Sequence, residues 1–300
     1  MVTVLAVGAA VVDVTLRVAE PLPLAGAKYR ATQAAIVGGG CAATAAVAVA
    51  RLGGRAVLSG RLGADPIGEM VLAGLRAERV ETALVRRFDR RRSSFSTVVV
   101  DSAGERQIVN FRDPDMPADA GWLAAADWPA VGAVLADTRW PEGAAVAMER
   151  ARRLGVPGVI DAEAPVGIAA DALRMASHIA FSSQGLADFT GTAEPADGLV
   201  RAADATGARV CVTDGAAGVW WLDGATLRHL PAFAVTVVDT LGAGDVWHGA
   251  FALALAEGRC DAHAIRFASA AAALKCTRPG GRDGAPSRAE LNAFLKETTP

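Results

Sequence analysis

Short runs of branched apolar residues alternate with alanine-rich stretches of helical length, and this rhythm constrains the fold more than any other feature of the chain. The runs are Val2 to Val7, Ala56 to Ser59, Ala133 to Ala136, Gly158 to Asp161, His178 to Ser182 and Val210 to Thr213. Continuous apolar runs of this length fit strands buried on both faces, and the intervening stretches are long enough to cross back over a sheet. The rhythm predicts an α/β architecture, a mostly parallel central sheet with helices on both faces. With 300 residues and 52% hydrophobic content the chain can bury a sizeable core, and we expect a single domain over 1–300.

Two regions depart from the rhythm. Val11 to Val18 with Lys28 to Ile36, and Ser94 to Asp101 with Arg106 to Phe111, alternate apolar and polar residues without an intervening helix. Ser102 to Glu105 has the composition of a hairpin turn. These segments predict a small antiparallel sheet projecting from the core, contributed by about residues 11–36 and 94–111.

The chemistry is expected where Val237 to Phe251, VVDTLGAGDVWHGAF, passes from a β-branched strand end through a glycine-rich turn into a helix. A helix start leaves backbone N–H groups without intrahelical partners and carries a partial positive charge, so Gly242, Ala243 and Gly244 can form an anion site. A carboxylate beside such a site repels anions unless it has its own task. For Asp245 that task is proton abstraction from a hydroxyl. The alternative is structural, with the glycines relieving strain and the aspartate complementing the helix dipole. His248 could act as the base instead, but three residues into the helix it is expected to pack or support.

A second glycine run, Gly38-Gly39-Gly40, also opens a helix. It lacks the GxGxxG spacing and does not follow the first core strand, so a dinucleotide-binding reading is rejected. The formal net charge of −2, from 30 basic and 32 acidic residues, gives no general attraction to nucleic acid or membranes. Cys41, Cys211, Cys260 and Cys276 are widely spaced without a CxxC pair, which argues against a zinc site or disulfide framework and for reduced thiols. The apolar N-terminus has no basic leader and reads as a core strand rather than a signal peptide, so a cytoplasmic protein is expected.

Asp239-Thr240, Gly242 to Asp245 and Gly249 to Phe251 together resemble the C-terminal signature of the ribokinase-like (PfkB) carbohydrate kinases. Val37 to Gly53, followed by Gly60 to Gly68, resembles their N-terminal signature. The resemblance implies a three-layer ribokinase-like sandwich with a β lid over the sugar. It also implies transfer of the ATP γ-phosphate to a sugar hydroxyl, and often a homodimer through the lid. It assigns Asp245 as base, Gly242 to Gly244 as anion hole, and Asp13 with Gly38, Gly39 and Gly40 as sugar contacts. Thr213, Gly215 and Gly218, in a segment similar to the family's phosphate-side turn, would bind nucleotide with Gly242, Gly244 and Lys275. For the run Ala271 to Gly281 two readings stand, a wall of the adenine pocket or a basic helix C-cap.

One departure concerns magnesium. Many members carry Asn-x-x-Glu before a Thr-Gly pair, whereas here Ser182 to Gly185 precedes Thr190-Gly191. No metal ligand is therefore assigned, and Mg²⁺ is expected only as the companion of ATP. Lys28, Asn110 and Arg139, singly ordinary polar positions, would in that fold face the open end of the sugar pocket and suit an anionic tetrahedral group. With Asp137 to Trp140 and Cys276 to Gly281 they resemble the sulfofructose kinase branch, which implies 6-deoxy-6-sulfofructose as acceptor at its 1-hydroxyl. The alternatives are another acidic or phosphorylated ketose, such as fructose 6-phosphate or a keto-deoxy sugar acid, or a non-catalytic nucleotide- and sugar-binding regulator.

Overall fold

The computed structural model describes residues 1–298, so the last two residues of the expected domain lie outside the described residues. Among the described residues thirteen strands form two sheets. They are β1 Thr3–Val7, β2 Val11–Arg17, β3 Gln33–Gly39, β4 Arg55–Gly63, β5 Glu81–Phe88, β6 Phe95–Val100, β7 Arg106–Phe111, β8 Ala133–Asp137, β9 Gly158–Ala162, β10 His178–Ser182, β11 Arg209–Thr213, β12 Val219–Asp223 and β13 Thr226–Leu230. The helices are α1 Cys41–Arg51, α2 Pro66–Ala77, α3 Gly121–Ala125, α4 Pro141–Leu154, α5 Ala170–Met175, α6 Ser183–Thr190, α7 Pro195–Thr206, α8 Ala243–Ala256, α9 Asp261–Cys276 and α10 Arg288–Glu297.

The large sheet has the order β13-β12-β11-β10-β9-β8-β1-β4-β5 and is parallel from β5 to β11, with β12 and β13 added antiparallel at one edge. The central strands β1, β8 and β9 are buried along their whole length, because helices cover both faces and no side of the pleat meets water. One core layer holds α1, α8 and α9, and the other holds α4, α5 and α7. Every run expected as a core strand is one.

Helix α8 is apolar all round, with Val246 to Leu255 buried, as befits a helix enclosed by protein. It crosses α1 so closely that a Cβ at Gly249 would lie 2.3 Å from the Ala45 carbonyl oxygen. The alanines of α1 permit that approach. The two glycine-rich helix starts of the sequence are thereby carried on adjoining helices.

The projecting sheet has the order β3-β2-β6-β7. It consists of two antiparallel pairs, β2–β3 and β6–β7, joined through a parallel contact between β2 and β6. Both joining strands leave the carboxyl end of a core strand, β1 and β5, and so enter with the same polarity. One boundary expectation is corrected. Lys28 does not open a strand; β3 begins at Gln33, opposite Arg17, and Lys28 is exposed in the connection, where Pro21, Pro23 and Gly26 interrupt pairing.

Candidate active site

Asp137 ties the first glycine run to the core. Its Oδ2 accepts hydrogen bonds from the N–H groups of Ala9, at 2.8 Å, and Ala42, at 3.1 Å, and its Oδ1 accepts from Arg139 N–H at 2.8 Å. The end of β1, the end of β8 and the start of α1 are thus pinned to one carboxylate. A Cβ at Gly8 would sit 2.2 Å from Oδ2, so only glycine fits there. Burial pushes the Asp137 carboxyl up, opposed by those three N–H donors.

Gly38 and Gly39 close β3, and Gly40, at φ 92°, caps α1. Gly39 faces Asp13, whose Oδ2 would be 2.1 Å from an added Cβ. Asp13 on β2 is paired with Ser96 on β6, and Ser96 with Asn110 on β7, so the three lie in one row across the small sheet. Asn110 Nδ2 donates to Ser96 Oγ at 3.1 Å. Burial raises the Asp13 carboxyl, against a hydrogen bond from Ser96 and the charge of Arg282.

Arg282 was not foreseen, although the motif singled out in the sequence stops one residue before it. It is 5% exposed, and its guanidinium fills the space a Cβ at Gly38 would need, 1.8 Å from Cζ. Its Nε and Nη1 have no hydrogen-bond partner among the described residues, and burial pulls its pKa down.

The second glycine run opens α8 with Gly242 at φ 74° and no side-chain cap. Ala243 N–H already donates to the Thr240 carbonyl at 3.2 Å, a partner the anion-hole expectation had not included. Asp239 anchors the turn: Oδ1 accepts from Leu241 N–H at 2.9 Å, and Oδ2 from Gly280 and Gly281 N–H at 3.1 and 3.2 Å. Lys275 is fully buried and donates Nζ to the Asp239 carbonyl at 2.7 Å. It therefore fixes this turn, and it is not among the residues lining the cavity beside the turn, because its position on α9 aims it inward.

Asp245 stands in the first turn of α8. Its carboxyl is pushed up to about 7, first by burial and then by the Asp161 carboxylate, with His248 opposing and the Cys41 thiol hydrogen-bonded to it. His248 is buried, with Nδ1 2.8 Å from the Gly244 carbonyl and Nε2 3.3 Å from that of Ala180. Its ring braces the turn rather than facing solvent. Asp161, at the end of β9, is 4% exposed, and burial pushes its carboxyl well up. No local pattern marked it, since a lone aspartate ending an apolar run looks like a turn residue.

Beside this turn opens a cavity of about 650 Å³. It is lined by Thr213, Gly215 and Gly218, by Ala243 and Gly244, and by Ala272 with Cys276 of α9. The Ala271 to Gly281 run is thus a cavity wall through its apolar residues. Gly218, at φ 97°, would place a Cβ 2.1 Å from the Leu230 carbonyl oxygen. Arg139 follows β8 and donates Nη2 to Glu163 Oε2 at 2.9 Å and Nη1 to the Ala164 carbonyl at 3.1 Å.

The arrangement offers a mostly apolar cavity for a flat ring, a helix start for anions, a raised carboxyl at that start, and a lid carrying polar groups. The profile of a family described as pfkB family carbohydrate kinase matches residues 1–288. A fructokinase of Vibrio alginolyticus is 30% identical over 282 residues, covering 86% of this chain and 91% of that one. A crystal structure of a provisionally assigned ribokinase from Agrobacterium tumefaciens superposes with a TM-score of 0.89 at 39% identity, covering 98% of this chain and 97% of that one. The structure of Arabidopsis thaliana ribokinase complexed with ribose and ATP shares the fold, with a TM-score of 0.83 at 24% identity over 98% of this chain and 98% of that one. Among the described residues no helix is long and apolar enough to cross a membrane.

Proposed function

Because the chain belongs to the pfkB family of carbohydrate kinases, we propose that it transfers the γ-phosphate of ATP to the 1-hydroxyl of 6-deoxy-6-sulfofructose. Sugar phosphorylation is the family's chemistry; the acceptor is the proposed part. The observation that carries the reading is the meeting of the two glycine-rich helix starts, which sets the raised Asp245 carboxyl directly after Ala243 and Gly244 of the cavity lining.

In this mechanism adenine occupies the apolar cavity between the Thr213 to Gly218 turn and α9. The start of α8, through Gly242 to Gly244, faces the phosphates and stabilises charge as it develops on the transferring group. Asp13 and the Gly38 to Gly40 backbone hold sugar hydroxyls. Asp245 takes the proton of the attacking hydroxyl as that oxygen meets the γ-phosphorus in line. Magnesium bound with ATP supplies neutralisation of phosphate charge. The exposed carboxylate of Glu163, one oxygen of which Arg139 holds at 2.9 Å, would hold it through the other oxygen, standing in for the glutamate absent from Ser182 to Gly185. Glu163→Gln is expected to raise the Mg²⁺ concentration giving half-maximal rate several-fold with little change in ATP affinity measured without metal. An unchanged Mg²⁺ requirement would remove Glu163 from that role.

An anionic acceptor is supported by Arg282, whose buried cation with unpartnered nitrogens lies against the sugar-facing glycines. Asn110 shares the lid row with Asp13, and Arg139 presents a planar fork now held by Glu163. The fructokinase relative favours unsubstituted fructose as the competing acceptor. A panel of sulfofructose, fructose, fructose 6-phosphate and a keto-deoxy sugar acid, compared by kcat/KM, decides between them. Arg139→Ala is expected to cost sulfofructose about tenfold or more beyond the loss on fructose, because a charge-assisted contact is worth about 1.5–3 kcal/mol. Equal loss on both sugars would make Arg139 a support for Glu163 alone. The exposed Ile36, Ile108 and Val109 on lid strands β3 and β7 support a homodimer through the lid.

A further inference from the structure

Asp245 has two neighbours that phosphoryl transfer leaves without a task. One ligand atom each from Cys41, Asp161 and Asp245 lies within 4.8 Å of the other two. Cys41 and Asp245 are half-buried, while Asp161 is 4% exposed. Asp161 Oδ1 has no hydrogen-bond partner among the described residues, although buried carboxylate oxygens nearly always have one. The nearest cationic candidate is the His248 ring, with Nε2 3.5 Å away and already directed at the Ala180 carbonyl.

We propose that Cys41, Asp161 and Asp245 form a three-ligand site for a thiophilic divalent cation such as Zn²⁺, and that its occupation switches the kinase off by withdrawing Asp245 from proton transfer. The switch rests on the reading of Asp245 as base; the site itself does not. A sulfur with two carboxylate oxygens and an open fourth position matches zinc, which takes three protein ligands and a water at about 2.0–2.3 Å. Those bond lengths set ligand atoms about 3.5 Å apart, so closure from 4.8 Å or less is a shift of about 1 Å per pair. Magnesium is not the occupant, because it demands an octahedral oxygen shell and rejects sulfur.

Charge points the same way. Asp137, Asp161, Glu163 and Asp245 all act on Cys41, and of the cationic side chains nearby Arg139 is committed to Glu163. A dication would take the place of the protons that burial favours on Cys41, Asp161 and Asp245. On binding, the Cys41 thiol and any protonated Asp161 and Asp245 carboxyl give their protons to solvent, and each donates a lone pair to the metal with no change of oxidation state.

The test uses the whole protein and Co²⁺ as a spectroscopic stand-in, then Zn²⁺ in the kinase assay under excess Mg²⁺ and ATP with free Zn²⁺ buffered. Wild-type protein is expected to develop a near-ultraviolet thiolate-to-cobalt band saturating at one ion. Cys41→Ser should abolish the band, and both it and Asp161→Asn should raise the Zn²⁺ concentration for half-inhibition by about 10- to 100-fold, each relative to its own uninhibited rate. Thermal melts with and without Zn²⁺ give a third reading, since a bound ion raises the melting point of wild type but not of Cys41→Ser. Cobalt binding without the band, or a Cys41→Ser variant as zinc-sensitive as wild type, overturns the site. A band without inhibition leaves the site standing and overturns the switch, along with Asp245 as base.

Discussion

Asp245→Asn is expected to lower kcat by about 10²- to 10⁴-fold, the range that general-base catalysis contributes, while ATP binding persists. The asparagine keeps the shape of the side chain and loses only the capacity to take a proton. Steady-state kinetics with calorimetric titration of ATP checks it, and a variant keeping more than about a tenth of wild-type kcat would remove Asp245 from the reaction. The pH dependence follows from the same carboxyl, raised from an ordinary 3.8 to about 7. Only the ionised form is a base, so kcat/KM should climb about tenfold per pH unit from pH 5 and level off above about 7.

Stability runs the other way. A carboxyl whose folded value exceeds its unfolded one holds a proton preferentially in the folded state, so its contribution falls as pH rises from about 4 to about 7. Asp245→Asn carries no such penalty. It should melt above wild type at pH 8, by a margin on the order of a few kcal/mol, and match it near pH 4. A variant less stable than wild type at pH 8 would mean the carboxylate is paired in the fold rather than strained by burial.

Gly39→Ala is expected to lower kcat/KM for the acceptor by about 10²-fold or more, because misplacing a contact by about 1 Å costs that much. The added Cβ would meet Asp13 Oδ2 at 2.1 Å and Cγ at 2.9 Å. Gly39 is paired with Val11 across β2 and β3, so the sheet holds the backbone and the Asp13 carboxylate must leave its place beside Ser96. Gly26→Ala is the control, since open space surrounds Gly26 and no change is expected. Acceptor kinetics measured beside thermal melts separate the cases. A Gly39→Ala enzyme with wild-type kcat/KM would show that Asp13 does not touch the sugar.

Local physics wrote much of this protein legibly into its sequence. The apolar runs became core strands because a strand buried on both faces must be apolar along its length, and that constraint acts residue by residue. Gly40 and Gly242 were readable as helix starts for the same reason, each taking a positive φ that a side chain would oppose. Membership of the pfkB family was legible in consecutive strings such as Gly242 to Asp245, and the family match spans residues 1–288.

What the tertiary structure decided was which ends meet. Asp137, Asp161 and Arg282 lie apart in the chain, and nothing local marks Asp161 or Arg282 or gives Asp137 its part in holding the site. They share the site because sheet order sets β9, β8 and β1 side by side, because the 281–284 turn folds back against β3, and because α1 and α8 cross at the contact between Gly249 and Ala45. Lys275 shows the converse: the resemblance made it a nucleotide contact, yet its helix turns it inward to Asp239. Lys28 fell outside its strand because pairing register starts opposite Arg17, a property of two strands together. Periodicity and turn chemistry act over a few residues, so sequence alone determines them. The charge, burial and partners of a side chain depend on every element packed around it, and only the folded chain supplies those.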